Sequence, residues 1–194
     1  MLQERLGLRH ISTGVILRAA IREGTPVGRE AKKYVQAGLL VPGVVVRRLA
    51  EDQLIDCQFE RYVLDGYPRT IEQADWLAEF LREHNRPLDG VLSLCVPDEI
   101  IVDRLSKRRV DPVTGENYHL DFKPPAADLP ADRIVQRSDD RPEAILKRLR
   151  VYTDETSPVQ DYYRQRGGLL EIDGVGSFED VHERIVSTLA ALVN

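Results

Sequence analysis

The sequence predicts an α/β protein with a parallel sheet between layers of helices. Three apolar segments without polar alternation, Tyr62 to Leu64, Gly90 to Val96 and Gly168 to Ile172, are typical of parallel strands buried on both faces. Segments with apolar residues at helical spacings of three and four separate these strands. Strands that alternate with helices along a chain form parallel sheets with right-handed crossovers.

The composition fits one core domain that spans residues 1–194. Of the 194 residues, 42% are hydrophobic, and 27 basic and 32 acidic residues give a formal charge of −5. A general nucleic-acid or anionic-membrane binder would be basic, so we expect neither partner. With two cysteines, no signal-peptide pattern and no apolar run near ~18 residues, we expect a soluble cytoplasmic protein.

Glycines and capping residues mark the first helices. Ser12 or Thr13 can cap a helix from about Val15 to Glu23, and Gly24 can end it. A second helix is predicted from Val27 to Ala37. A third helix is predicted from one apolar face, formed by Val46, Leu49, Ala50, Leu54 and Cys57.

The segment from Val63 to Gln73 joins a buried strand to a fourth helix. The strand ends in Asp65, and Gly66 and Pro68 then break it before Arg69. Open α/β sheets bind ligands at the carboxyl ends of their strands, so Arg69 is a candidate phosphate clamp. An ordinary strand-turn-helix connection with a solvated arginine explains this segment equally well.

The segment 109–138 contains several prolines and a glycine, so it is predicted to form a small β-rich flap outside the core. After the flap, Asp140 is predicted to cap a helix that has Pro142 in its first turn. A kink is predicted at Pro158, and Ser177 is predicted to cap the last helix.

Motifs in a fixed order along nearly the whole chain resemble the adenylate kinase family. They are His10-Ile11-Ser12-Thr13-Gly14 with Leu17-Arg18, Ala37 to Val41, Asp65 to Arg69, Arg108 to Pro112 and Arg137 to Asp140. The resemblance implies a three-layer P-loop kinase-like fold, with a nucleoside monophosphate-binding insertion at residues 12–41 and a β-rich lid at residues 107–140. It also implies a monomer that reversibly transfers a phosphoryl group from ATP to AMP with Mg²⁺, giving two ADP.

The resemblance also implies site residues, in a reaction where arginines neutralise the moving phosphoryl group. The implied catalytic residues are Arg69, Arg104, Arg137, Arg148, Asp65 and Asp139. The implied AMP-binding residues are Thr13, Arg18, Leu39, Leu40, Val41, Gly66, Tyr67, Pro68, Arg69, Gln73, Arg137 and Arg148. The implied ATP-binding residues are Arg104, Arg108, Asn117, Tyr118 and Gly176.

Plainer alternatives exist for several of these residues. Taken alone, Gln73 is better explained as a solvated helix residue. Tyr118 is equally well explained as a flap core residue, and Arg148 alone as a surface partner within its helix. For the whole protein, a catalytically dead nucleotide-binding sensor module and a kinase of another nucleoside monophosphate are the alternatives.

One family element is absent from the sequence. No lysine lies in a Gly-x-x-x-x-Gly-Lys-Ser/Thr context, the loop that cradles phosphates. We therefore expect an N-terminally truncated chain that lacks this loop and the first, central strand, with little or no kinase activity of its own. Relatives that bind structural zinc in the flap use paired cysteines, whereas Asp111 and Thr114 stand at the first pair here, so no structural zinc is predicted.

Overall fold

The computed structural model describes residues 6–127 and 129–192. Its first half contains β1 (Arg9–Ser12), α1 (Thr13–Glu23), α2 (Pro26–Ala37), α3 (Gly43–Asp56), β2 (Tyr62–Asp65) and α4 (Ile71–Glu83). Its second half contains β3 (Val91–Cys95), α5 (Asp98–Ser106), β4 (Arg108–Val110), β5 (Asn117–His119), α6 (Pro142–Val151), α7 (Ser157–Gln165), β6 (Leu169–Asp173) and α8 (Phe178–Leu192). This alternation of strands and helices confirms the predicted α/β class.

The predicted single parallel sheet is divided into two parallel pairs in the part of the chain that is described. β1 pairs with β2, with Ser12 opposite Asp65, and β3 pairs with β6, with Cys95 opposite Asp173. β2 and β3 do not pair with each other within the described ranges. Each of these two strands therefore has one edge without a strand neighbour among those residues. Apolar patterns predict the strands themselves but not which strands are neighbours.

The segment predicted to be β-rich contains the antiparallel pair β4 and β5. Arg108 lies opposite His119 in this pair. An isolated bridge joins Val110 to Val135, so the segment folds back on itself. Residues 107–140 are called the lid segment below.

The main core lies between β1, β2 and the helices α1 to α4. Its fully buried side chains include Ile11, Leu54 and Leu77. α1 and α2 approach closely at Gly28, where a Cβ atom would lie 2.0 Å from the carbonyl oxygen of Ala20. A side chain at position 28 would therefore push apart the two helices of the predicted AMP insertion.

Local signals set the ends of the first helices. The hydroxyls of Thr25 and Thr70 each accept a hydrogen bond from the backbone N–H three residues later. Gly24 and Gly38 end α1 and α2 in the left-handed conformation, which confirms Gly24 as the predicted stop. No helix within residues 6–127 and 129–192 is both long and apolar enough to cross a membrane.

The start of α6 differs from the prediction. The cap position is Arg141 rather than Asp140, and no side chain caps the helix. Asp140 is fully buried, and its carboxylate accepts hydrogen bonds from Nε and Nη2 of Arg108 instead. An ion pair with a residue 32 positions away thus replaces the local cap.

A π-helical turn, Tyr152–Thr156, joins α6 to α7 in one continuous helical segment. The predicted irregularity is present but precedes Pro158, which lies in the first turn of α7. The N–H of Ser157 donates to the carbonyl oxygen of Tyr152, five residues earlier. Such wide turns are rare and occur frequently at functional sites.

Candidate active site

The carboxyl ends of β1 and β2 meet at one edge of their sheet. Because Ser12 pairs with Asp65, the next residues, Thr13 and Gly66, lie side by side. The hydroxyl of Thr13 donates a hydrogen bond to the carbonyl oxygen of Gly66 at 3.0 Å. Thr13 is buried, so this bond ties the first turn of α1 to the turn that follows β2.

Gly66 begins a tight turn that ends at Arg69. Gly66 has a φ of +79°, and a Cβ atom there would lie 2.9 Å from the hydroxyl oxygen of Thr13. Any other residue would be strained at this position. The peptide bond between Tyr67 and Pro68 is cis.

Arg69 is fixed by hydrogen bonds along its length. Its Nε donates to the carbonyl oxygen of Gly66 at 3.0 Å, and its backbone N–H donates to Oε1 of Gln73 at 2.8 Å. The hydroxyl of Thr156 donates to its carbonyl oxygen at 3.0 Å. Burial lowers the pKa of Arg69, an effect that the charge of Asp65 opposes. The guanidinium is therefore held in place and partly dehydrated.

Gln73 lies buried beside this turn, with 3% of its surface exposed. Its oxygen accepts the bond from Arg69, and its Nε2 lies next to Gly43, where a Cβ atom would approach it to 3.5 Å. The buried hydroxyl of Tyr67 has no hydrogen-bond partner within the described residues. Burial, with a smaller effect from the charge of Glu51, raises the pKa of Tyr67 to about 12.

Three arginines and two aspartates form a cluster where the lid segment meets α6. Arg137 donates to both carboxylate oxygens of Asp139, at 2.9 and 2.6 Å. Arg108 donates to both oxygens of Asp140, at 2.7 and 2.5 Å. Arg148 in α6 bridges the two aspartates, with Nη1 3.4 Å from an oxygen of each.

A fourth arginine, Arg18 of α1, lies close enough to this cluster for its charge to interact with those of Arg137 and Asp139. Burial lowers the pKa of Arg18 to about 10, and the charge of Arg137 adds to the effect. Burial acts to raise the pKa of Asp139, but the hydrogen bond and charge of Arg137 outweigh it, and the pKa is lowered. Burial also lowers the pKa of Arg148. With Arg108 the site holds more buried positive than negative charge, which favours an anion.

Arg104 of α5 lies at the loop after β6 rather than in the arginine cluster. Its Nη1 donates to the carbonyl oxygen of Gly174 at 3.0 Å, and its Nη2 donates to that of Gly176 at 3.1 Å. The carbonyl oxygens of Asp173 and Val175 accept from Arg184. The loop is therefore held by two guanidinium groups.

Two of the predicted ATP-binding residues, Asn117 and Tyr118, lie in β5 of the lid segment. The ring of Tyr118 is half-buried, and its hydroxyl donates to Glu116 at 3.1 Å. A contact between the rings of Phe122 and Phe178, with centroids 6.0 Å apart, joins the lid segment to the start of α8.

Comparisons with known proteins identify the family. The family profile described as "Adenylate kinase" matches residues 1–168 of this chain. The chain belongs to the adenylate kinase family. An adenylate kinase of Salinibacter ruber is 53% identical over 192 residues, which cover 99% of this chain and 91% of that protein. Adenylate kinases of Caldanaerobacter subterraneus and Methanosarcina barkeri are 45% and 44% identical, over 93% and 96% of this chain and 84% and 88% of those proteins.

Many of the residues implied by the adenylate kinase resemblance lie in two groups, one at the turn after β2 and one at the arginine cluster. Gly38 contacts Arg148, since a Cβ atom on the glycine would lie 3.3 Å from Cγ of the arginine. The next residues, Leu39 to Val41, connect α2 to α3, and Val41 is buried in the main core. The end of the predicted insertion therefore lies beside the arginine cluster. Arg104, Asn117, Tyr118 and Gly176 belong to other parts of the surface, the loop after β6 and the lid segment.

Asp65, one of the catalytic residues that the resemblance implies, has an exposed carboxylate at the end of β2. Its side chain is 60% exposed, and its Oδ2 lies 3.1 Å from Nε2 of His10. An exposed carboxylate beside a phosphate site fits a hydrated Mg²⁺ ion, which keeps most of its waters in such sites. No group of three or more metal-binding side chains occurs among the residues that are described.

Sequence reasoning missed two contacts in this site. His10 reaches Asp65 because β1 and β2 are parallel neighbours, a pairing that the residue types do not reveal. Thr156 reaches the backbone of Arg69 from 87 positions away, through the π-helical turn. A threonine before a proline in a helical pattern gives no sign of such a role.

The lid segment contains a charged pair at Asp111, the position predicted to lack a zinc ligand. Asp111 is 1% exposed, and its carboxylate accepts hydrogen bonds from Arg133 at 2.5 Å and from the N–H of Val113 at 2.9 Å. The bond from Arg133 lowers the pKa of Asp111, against the opposite effect of burial. Hydrogen bonds to a buried carboxylate thus organise this end of the lid segment.

Proposed function

We propose that this chain works as an adenylate kinase that reversibly transfers the terminal phosphoryl group of ATP to AMP, giving two ADP. The proposal rests mainly on the clustering of Arg18, Arg108, Arg137 and Arg148, which are accompanied by two carboxylates, Asp139 and Asp140, among the described residues. Phosphoryl transfer needs mainly positioning and neutralisation of charge, and arginine forks supply both.

AMP occupies a site formed by α1 and the turn after β2. Arg18 and Arg69 hold its phosphate, because both guanidinium groups are partly dehydrated and lack a carboxylate partner at hydrogen-bond distance among the described residues. Gln73 lies four residues after Arg69 and offers Nε2 to the adenine ring. Its oxygen can also accept from the adenine amino group, as glutamine does in bidentate recognition of adenine.

ATP approaches from the lid segment and from the loop after β6. Arg104 sets the shape of that loop, and the contact between Phe122 and Phe178 brings the lid segment to it. The family generally uses ATP with Mg²⁺. Asp65 would hold a water of that ion, which when bound would neutralise charge on the phosphate oxygens.

The ATP site as proposed also needs a glycine-rich phosphate loop. The 194 residues contain no such motif, and β2 and β3 each have an edge without a strand neighbour in the described part of the chain. We propose that a strand between β2 and β3, followed by this loop, completes the ATP site from outside the 194 residues. An AMP-binding module without transfer activity is then the second candidate for the chain as given.

Phosphorus NMR of ATP, AMP and Mg²⁺ with the purified protein tests both candidates. For an adenylate kinase, two ADP appear for each AMP consumed, and replacing AMP with GMP or CMP reduces the rate strongly. A second outcome is that the 194-residue chain binds AMP without forming ADP and gains ADP formation once an upstream strand and loop are added. That result would support the proposed completion of the ATP site by this strand and loop. Hydrolysis of ATP without consumption of AMP would contradict the assignment.

We also propose that the whole protein is a cytoplasmic monomer that binds neither nucleic acid nor membrane. The formal charge of −5 supports the absence of a polyanionic partner, because nucleic-acid binding relies on clustered positive charge. Sedimentation of the purified protein with and without duplex DNA tests both its oligomeric state and whether it binds nucleic acid.

A further inference from the structure

We infer that Thr156 is a positioning residue for AMP, because its hydroxyl holds the backbone of Arg69 and aligns this arginine with Arg148. The inference rests on the proposed AMP site. Thr156 ends the π-helical turn between α6 and α7, and it lies outside the residues that the family resemblance implies.

The contact is specific in its geometry. The hydroxyl of Thr156 donates to the carbonyl oxygen of Arg69 at 3.0 Å, in a partly buried position. The backbone N–H of the same arginine donates to Gln73, and its Nε donates to Gly66. Thr156 therefore supplies the constraint on the carboxyl side of Arg69, while Gln73 and Gly66 supply the others.

The two threonines of the π-helical turn use their hydroxyls differently. A threonine in a helix commonly donates to a carbonyl oxygen of its own preceding turn. Thr153 does so, since its hydroxyl donates to Leu149 at 3.0 Å. Thr156 instead donates to Arg69, across a gap in sequence of 87 residues. The same turn thus contains one threonine with a local bond and one with a bond to the AMP site.

The helical segment also carries Arg148. α6, the π-helical turn and α7 are continuous in the chain, so Thr156 and Arg148 are parts of one segment. Arg148 contributes to the arginine cluster, and Arg69 belongs to the turn after β2. The bond from Thr156 therefore fixes the turn that carries one arginine to the helical segment that carries the other. Both arginines are then presented to the same phosphate in a constant arrangement.

Calorimetric AMP titration of Thr156→Val tests this inference, because valine keeps the shape and removes the donor. We expect AMP affinity to fall about tenfold, as for the loss of one hydrogen bond that positions a charged group. Thr156→Ser should restore affinity to within about twofold of the wild type. Thr153→Val is the matched control in the same turn and should leave AMP affinity unchanged.

Further measurements separate positioning from loss of structure. If Thr156 acts through Arg69, Thr156→Val should weaken AMP binding much less in an Arg69→Ala background than in the wild type. Thermal melts establish that each variant is folded, and Thr156→Ala serves as a second variant if valine disrupts the turn. Equal AMP affinity of folded Thr156→Val and wild type, or fully additive losses with Arg69→Ala, would overturn the inference alone. No AMP binding by the wild-type protein would overturn the proposed function and the inference with it.

Discussion

Arg108 and Asp140 join the two ends of the lid segment through a two-bond ion pair. Nε and Nη2 of the arginine lie 2.7 and 2.5 Å from the two carboxylate oxygens. Asp140 is fully buried, and Arg148 also approaches it to 3.4 Å. The lid segment is therefore anchored to α6 by a carboxylate that has no contact with solvent.

Replacing Asp140 with asparagine should destabilise the protein strongly. Removing one partner of a buried ion pair leaves the other charges uncompensated and typically costs about 3–5 kcal/mol. Thermal or urea unfolding measures the loss. Glu79→Gln is the matched control, because Glu79 pairs with Arg82 on the surface and such exposed pairs contribute little to stability. Equal effects of the two substitutions would contradict this account of Asp140.

Asp111→Asn should lower the melting temperature in a pH-dependent way. The carboxyl pKa in the folded protein is below its ordinary value of 3.8, mainly because Arg133 donates to it. Stability from this pair is therefore fully present above about pH 5 and is lost as the pH falls through the lowered pKa. The difference in melting temperature between wild type and variant should be constant near neutral pH and shrink below about pH 4.

Asp121→Asn provides the control for this prediction. Asp121 also pairs with a cation in the lid segment, Lys107, but its side chain is 47% exposed. We expect a smaller change in melting temperature than for Asp111→Asn. A larger or equal change would show that burial of the carboxylate at position 111 contributes nothing to lid stability.

Inorganic phosphate should raise the melting temperature, because an anion relieves the repulsion among the clustered arginines. A ligand at 100 times its Kd stabilises the folded state by about 2.7 kcal/mol. Arg18→Met keeps most of the side-chain volume but removes the positive charge. Burial of that charge is unfavourable, since it lowers the pKa of Arg18 to about 10. This variant should melt no lower than wild type without phosphate and should gain less from phosphate.

Arg22→Met is the control for the phosphate series. Arg22 lies in the same helix as Arg18 but is exposed. Its substitution should leave the phosphate-induced rise in melting temperature unchanged. If both variants lose the rise equally, the effect reflects general screening of charge and not binding at the cluster.

Arg69→Ala should reduce AMP affinity by on the order of tenfold or more, since hydrogen bonds to charged groups contribute about 1.5–3 kcal/mol. The fold should persist, because among the described residues the side chain of Arg69 donates to a single partner, the carbonyl oxygen of Gly66. Titration calorimetry and thermal melts measure the two quantities, with exposed Arg82→Ala as the control. Unchanged AMP affinity in Arg69→Ala would show that Arg69 is an ordinary turn residue without a role in AMP binding.

Sequence features that act locally predicted much of the fold. Gly24 marks the end of α1, and Ser177 accepts a hydrogen bond from Asp180 at the start of α8. These signals succeed because the interacting groups are three or four residues apart. The Asp65 to Arg69 turn was predictable for the same reason, since a strand that ends in glycine and proline places its next side chains at a sheet edge.

Long-range contacts were not predictable from the sequence. Asp140 has the pattern of a helix cap, but its buried ion pair with Arg108 takes its place. The division of the parallel strands into two pairs depends on which strands are neighbours, and apolar runs carry no such information. Thr156 contacts the backbone of Arg69 from 87 positions away, and the residue types around it do not indicate that contact.

Calorimetric titration of the wild-type protein with AMP, and separately with GMP, shows whether the site binds AMP and selects its base. Adenine presents its amino group to the oxygen of Gln73, whereas guanine presents a second acceptor there, so the site should discriminate by about 1–3 kcal/mol. We expect saturable binding of one AMP per chain, with GMP binding at least tenfold more weakly. Equal affinity for AMP and GMP, or heats that do not saturate with AMP, would contradict this expectation.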